Sequence, residues 1–265
     1  MKKTEPEIKN YVIDTGKLSG QITAIFFSDL HGNEYGSENC DLISLFKKLE
    51  PDIILCGGDL MIGRETPSCK AAIPILKELS RIAPLYLAPG NHESKFHFAG
   101  DENKEKKTAW THFENEMKKS DVHFLDNKSE LIRVRQDYLC INGFELPLGY
   151  YKKFKRHTLP DGFIENKLGK CDPDVFSILL AHNPVFAKDY DKWGADLTLC
   201  GHYHGGLMHF GNRVLVSPYG FPFPKYGYGH YDKDGRNLIV TSGLGEHVLP
   251  FRIHNPFEIV RLILR

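Results

Sequence analysis

Ile22-Thr23-Ala24-Ile25-Phe26-Phe27-Ser28-Asp29-Leu30-His31-Gly32 decides the fold. Its first six residues read as a strand, and the rest as a polar tip closed by glycine. Working outward, CDLISLFKKLE (40–50) has helical spacing, with Leu42, Leu45, Phe46 and Leu49 on one face. DIILC (52–56) predicts the next strand. CKAAIPILKELSRI (69–82) predicts the next helix, with Pro74 near its first turn. PLYLA (84–88) is a third strand candidate, followed by a charged helix around KKTAWTHFENEMKKS (106–120). A β-α-β-α-β rhythm of this kind predicts a parallel sheet with helices packed on it.

The second half changes character. VHFLDN (122–127), ELIRVR (130–135) and YLCINGF (138–144) predict successive antiparallel strands. A polar, basic stretch covers 150–174, including Lys152-Lys153-Phe154-Lys155-Arg156. After it come FSILLA (176–181), a short helix near FAKDYDKWG (186–194), ADLTLC (195–200), RVLVSP (213–218), NLIVTSG (237–243) and FEIVRLILR (257–265). Strands outnumber helices here, so two packed mixed sheets flanked by helices, an α/β (α+β) architecture, fit better than one open sheet. SPYGFPFPKYGYGHYDKDG (217–235), rich in Gly, Pro and aromatics, is expected to be an extended surface loop. With 265 residues, a single domain over 1–265 is expected, with substrate-shaping segments at 147–172 and 217–235.

Composition narrows the function. Hydrophobic residues at 41% and charged residues at 26% are those of a globular chain, not a disordered one. Lys plus Arg balance Asp plus Glu at 34 each, which gives no strong nucleic-acid signal. No apolar run approaches the ~20 residues of a membrane span, and no h-region follows the charges of MKKTEPEIKNYVIDTG. The six cysteines form no CxxC pair and read as reduced thiols, so a cytoplasmic location is expected.

Five strand candidates end in Asp, Asn, His and Gly: Ser28-Asp29-Leu30-His31-Gly32, Gly57-Gly58-Asp59, Gly90-Asn91-His92-Glu93, His182-Asn183 and Gly201-His202-Tyr203-His204. Ligands of α/β folds bind outside the carboxyl ends of strands, so these tips are expected to share one rim. Singly, each reads as a turn or a core histidine; five in order read as a site. The donors are carboxylate, amide oxygen and imidazole with no thiolate, which suits Mn, Fe or Zn. Seven donors exceed one tetrahedral ion, and two divalent ions sharing a carboxylate use them economically.

DxH, GGD, GNHE, a lone His and GHxH, in that order, resemble the calcineurin-like metallophosphoesterase superfamily from about Ile22 onward. The tail GHYHGG…VTSGLG…LPFR…NPFEIVRLIL is similar, more narrowly, to a bacterial phosphodiesterase branch that includes UDP-diacylglucosamine pyrophosphohydrolases and cell-wall-associated members. The resemblance implies a four-layer sandwich. It also implies that Asp29, His31 and His204 hold one metal and Asn91, His182 and His202 the other, with Asp59 bridging. His92 would be the catalytic acid near the leaving group. Ile62 stands where the protein serine/threonine phosphatases of this superfamily carry an Asp, which argues against that branch. The implied activity is cleavage of a phosphodiester or pyrophosphate by a metal-bridging hydroxide. A phosphomonoesterase with the same site is the alternative, as is a non-catalytic scaffold, although no ligand is missing. The substrate is expected to be a small-molecule or lipid-linked phosphate ester, the latter with peripheral membrane contact. Lys153, Lys155, Arg156, Phe221, Phe223 and Arg252 are the candidates for binding it.

Overall fold

A computed structural model describes residues 5–152, 158–206, 208–210, 213–216, 222–246, 252 and 255–265. Strand β1 (Glu7–Ile13) and β2 (Ile22–Phe27) are followed by α1 (Cys40–Leu49), β3 (Ile53–Cys56), α2 (Thr66–Ser80) and β4 (Leu85–Leu87). Helices α3 (Asn91–His97) and α4 (Lys104–Met117) lead to β5 (Val122–Phe124), β6 (Lys128–Val134) and β7 (Asp137–Phe144). Then come α5 (Phe163–Leu168), β8 (Phe176–Ala181), α6 (Ala187–Trp193) and β9 (Leu197–Cys200). The ribbon β10 (His209–Phe210) and β11 (Arg213–Val214) precedes β12 (Gly229–Lys233), β13 (Arg236–Val240) and β14 (Glu258–Leu264).

Two six-stranded mixed sheets result, ordered β1-β14-β2-β3-β4-β5 and β12-β13-β9-β8-β7-β6. In the first, only β14 runs against its neighbour β2; in the second, the outer pairs β12–β13 and β6–β7 are antiparallel. The period-2 alternation of β2 explains the layering. Ile25 and Phe27 pack towards Leu42 and Phe46 of α1, Leu76 of α2 and Phe113 of α4. Ala24 and Phe26 face the other sheet, meeting Leu139, Ile178, Leu180 and Leu199. Beyond the second sheet, Leu179, Ala181 and Val240 pack on Ile164 of α5 and Tyr190 of α6. Each fully buried Phe or Ile contributes ~1.5–3 kcal/mol. This is the four-layer α/β sandwich.

Several local expectations are corrected. β5 does not pair antiparallel with β6; it joins the first sheet parallel to β4, and β7 runs parallel to β8. Helix α2 begins at Thr66, so Pro74 lies mid-helix rather than near the first turn, with Pro67 occupying the start. β12 lies within the stretch expected to be loop throughout; of RVLVSP, Arg213–Val214 form strand, and Ser217 and Pro218 lie outside the described residues. β1 comes from MKKTEPEIKNYVIDTG, a segment for which no strand was expected.

Candidate functional site

The tips of β2 and β3 prolong their own ladder beyond the sheet. Gly57 N–H donates to Phe27 O (2.9 Å), Asp29 to Gly58 O (2.9 Å), His31 to Asp59 O (3.0 Å) and Gly32 to Leu60 O (2.8 Å). To do so, Asp29, His31 and Asp59 adopt left-handed φ of 54°, 47° and 54°. At the end of β9, His202 and His204 do the same at 67° and 50°. Non-glycine residues there carry ~1–3 kcal/mol of strain, which persists where surrounding structure over-determines it. Glycine is required at two close approaches. A Cβ on Gly58 (φ 84°) would run into the Gly90 backbone, and one on Gly201 would meet the Asp29 carboxylate.

Contacts between the sheets lock the tips together. His182 Nδ1–H donates to Gly57 O at 2.7 Å, and His202 N–H reaches Asp29 Oδ1 and Oδ2 at 3.1 and 3.2 Å. Ser28 Oγ donates to Asp29 Oδ2. His31 Nε2 lies 3.2 Å from His204 Nε2, with the two rings stacked. Asp29 Oδ1 is 3.4 Å from His204 Nε2 and 3.8 Å from His182 Nε2, while Asp59 Oδ2 is 3.0 Å from His182 Nε2.

Donor atoms from Asp29, His31 and His204 lie within 4.8 Å of one another, as do those from Asp59, His182 and His202, and from His31, Asp59 and His92. Asn91 opens α3 beside them, since the next N–H, that of His92, donates to Asp59 Oδ1 at 2.8 Å. The expected donors are thus brought together.

Two buried carboxylates need a counter-charge. Burial pushes the Asp29 carboxyl up, against the pull of His182. For Asp59 burial acts the same way, but His182, His92 and His31 outweigh it and hold the group well below the ordinary range. Burial opposes charge on His182 as well, yet Asp59 and Asp29 raise it to about 9. His31 is lowered, chiefly by burial. His182 Nε2 and Asn91 Oδ1 are buried with no hydrogen-bond partner; the nearby Asp59 oxygen is close to Nε2 but off the hydrogen-bond direction. A buried ring nitrogen and amide oxygen without hydrogen-bond partners, beside two buried carboxylates, fit divalent cations that displace the ring proton.

Lys153, Lys155, Arg156 and Phe221 lie outside the described residues. Phe223 is described and 69% exposed, with its N–H on Leu215 O. Arg252 points inward: its guanidinium donates to the carbonyls of Ser242, Gly245 and Pro256, sits 3.4 Å from His204 Nδ1, and covers the Phe257 ring. These contacts set it behind His204. His97, which lies just beyond a motif, pairs with Glu145 and stacks on Trp110.

Three residues of the site escaped the sequence reading. Glu93 is fully buried and accepts the N–H groups of Asp59 (2.7 Å), Leu60 (2.8 Å) and Gly90 (2.9 Å), which fixes the β3 and β4 tips together. Its signal was present, as the last letter of GNHE. Ser28 orients Asp29. Tyr151 places its ring 5.1 Å from that of His202, and nothing local in the sequence marks it.

Among known proteins, the family model described as calcineurin-like phosphoesterase matches residues 22–206. The metallophosphoesterase YkuE of Bacillus subtilis is 26% identical, over 99% of this chain and 85% of its own length. The phosphodiesterase YaeI of Escherichia coli is 26% identical, over 83% and 74%. A Danio rerio transmembrane protein with a metallophosphoesterase domain is 25% identical over 98% of this chain. The chain spans only 57% of that protein and 52% of a Caenorhabditis elegans relative. The solved structure of TT1561 from Thermus thermophilus shares the fold at TM-score 0.51 and 12% identity, covering 85% of this chain and 91% of that one. Among the described residues, no helix is long and apolar enough to cross a membrane.

Proposed function

The chain belongs to the calcineurin-like phosphoesterase family, and from that premise we propose that it is a metal-dependent phosphoesterase, hydrolysing a phosphodiester or pyrophosphate bond with two divalent cations. Asp29, His31 and His204 would hold one, and Asn91, His182 and His202 the other, with Asp59 shared. The observation that carries this reading is the pair of orphaned buried atoms, His182 Nε2 and Asn91 Oδ1, beside two buried carboxylates. Bound there, Mn, Fe or Zn would neutralise phosphate charge and activate water.

The chain's own residues prepare that chemistry. The bond from His182 Nδ1–H to Gly57 O leaves Nε2 as the ligating nitrogen. Ser28 and the His202 N–H fix the Asp29 carboxylate. His92 meets the Gly63 N–H at Nδ1, so its neutral ring carries the proton on Nε2, where it can pass to the leaving oxygen. Residues 1–265 act in this reading as one domain, with segments 147–172 and 217–235 shaping access for a small-molecule or lipid-linked phosphate ester. Six free thiols accord with a reducing, cytoplasmic setting, and a lipid-linked substrate would bring the chain into peripheral contact with a membrane.

The test is metal analysis of the purified protein, followed by turnover of bis-p-nitrophenyl phosphate and p-nitrophenyl phosphate. About two ions per chain and faster diester turnover are expected. Activity that survives chelation would overturn the metal assignment, and a monoester cleaved far faster would reverse the bond preference.

A further inference from the structure

Helix α3 opens on Asn91 and carries Ser94 and His97 on the same face, since helical residues three apart are neighbours. That face meets Glu145, the first residue past β7 of the second sheet. Ser94 Oγ–H donates to Glu145 Oε1 at 2.6 Å. His97 Nδ1 lies 3.2 Å from Glu145 Oε2, and its ring stacks on Trp110 at 5.3 Å. Glu145 is 2% exposed, so water does not stand in for these partners. Its own N–H donates to Asn127 Oδ1 at 3.1 Å, which fixes it to the turn between β5 and β6.

Phe144 pairs with Ala181 at the ends of β7 and β8, so Glu145 leaves the second sheet alongside His182. One residue thus neighbours the strand tip bearing one expected ligand and grips the helix bearing another. The start of α3 answers to the first sheet, where Gly90 N–H reaches Glu93 and His92 N–H reaches Asp59 Oδ1. A helix of two turns pinned at its start alone keeps freedom to roll and tilt, and an anchor in its last turn removes it. His92 has a bond of its own, from the Gly63 N–H to Nδ1 at 2.9 Å. Asn91 Oδ1 is buried without a hydrogen-bond partner, so the helix must aim it.

We propose that Glu145 is a positioning residue for the cation site of Asn91, His182 and His202: by gripping Ser94 and His97 it sets where Asn91 stands relative to His182. This rests on the two-cation reading above. Of the two ligand sets, Asp29, His31 and His204 come from strand tips alone, whereas the other takes a donor from α3. Loosening α3 therefore weakens one site and spares its neighbour. An amide oxygen carries no net charge and contributes as a ligand through its aim, which is what a partner behind the ligand supplies. Glu145 itself acts through Asn91 and transfers no proton.

The test is a titration of the metal-stripped chain with Mn, the free ion being counted by electron paramagnetic resonance. The wild type is expected to bind about two ions. Glu145→Ala is expected to weaken one of them by about 10–100-fold, with the affinity of the other unchanged. Ser94→Ala, which removes one oxygen atom, should weaken the same ion to a lesser degree, and it carries the test alone should Glu145→Ala fail to fold. Glu145→Ala combined with Asn91→Ala should cost little more than Asn91→Ala by itself, because the one acts through the other. Unchanged affinities, equal falls at both ions, or additive losses in the double variant would overturn the proposal and leave the two-cation reading standing. A wild type that binds fewer than two ions would remove that reading and this inference with it.

Discussion

The backbone N–H of Gly63 meets Nδ1 of His92 across 2.9 Å, and the Met61 carbonyl lies 3.1 Å from the same nitrogen. The ring thus finds a donor when neutral and an acceptor when protonated, as a group that gives and regains a proton requires.

His92→Ala is accordingly expected to keep its bound metal yet lose turnover by roughly 10²–10⁴-fold. Loss should be larger for alkoxide leaving groups than for p-nitrophenolate, which departs without a proton. Metal analysis and rates on both classes check this, and equal losses would assign His92 another role.

Asp59→Asn should abolish turnover and lower bound metal. The carboxylate lies 3.0 Å from His182 Nε2 and 3.9 Å from His31 Nε2, and its amide replacement leaves His182 uncompensated. A variant with full metal content and full activity would end the shared-ligand assignment.

Glu93 invites a test of stability rather than rate. Glu93→Ala strands the buried N–H groups of Asp59, Leu60 and Gly90, at ~1–3 kcal/mol each. Urea unfolding is expected to reveal a loss of at least about 3 kcal/mol. A change below that would mean the tips hold themselves.

Metal uptake should release protons. In metal-stripped protein the His182 pKa is raised to about 9 from 6.5 by Asp59 and Asp29, against burial. A charged His182 then stabilises the stripped fold fully below 6.5, and that contribution is lost as pH rises through about 9. A cation at Nε2 must displace that proton, so affinity should climb up to about tenfold per pH unit across this window. Adding Mn to stripped protein in weak buffer near neutrality should acidify the solution. His182→Asn should remove that signal, and an unchanged signal in the variant would locate the proton elsewhere.

The strand tips were legible because each follows an apolar run that only a buried strand explains, and because glycine and polar donors change the pattern abruptly there. Asp29, Asp59 and His204 could be named for that reason. β1 could not: EIKNYVI is an edge strand, half exposed, and its identity depends on pairing with β14. The same holds for β12, whose partner β13 confers the order that Gly and aromatics conceal. Tyr151 is a site neighbour only through tertiary folding, against His202. Glu93 was visible as a motif letter, but its work on the backbone N–H groups of both strand tips is a matter of geometry alone.

The insertion of β14 between β1 and β2 has a bearing on biosynthesis. Glu7 pairs with Glu258, and Leu264 pairs with Ile22, so the sheet carrying Asp29 and Asp59 stays incomplete until the late strand emerges from the ribosome. Until then the flank of β2 is an open, apolar edge on a nascent chain, the kind of surface that recruits chaperones or a neighbouring polypeptide. Assembly of the sheet beneath the rim therefore waits on β14, and a chain interrupted before Glu258 would leave the β2 edge uncovered.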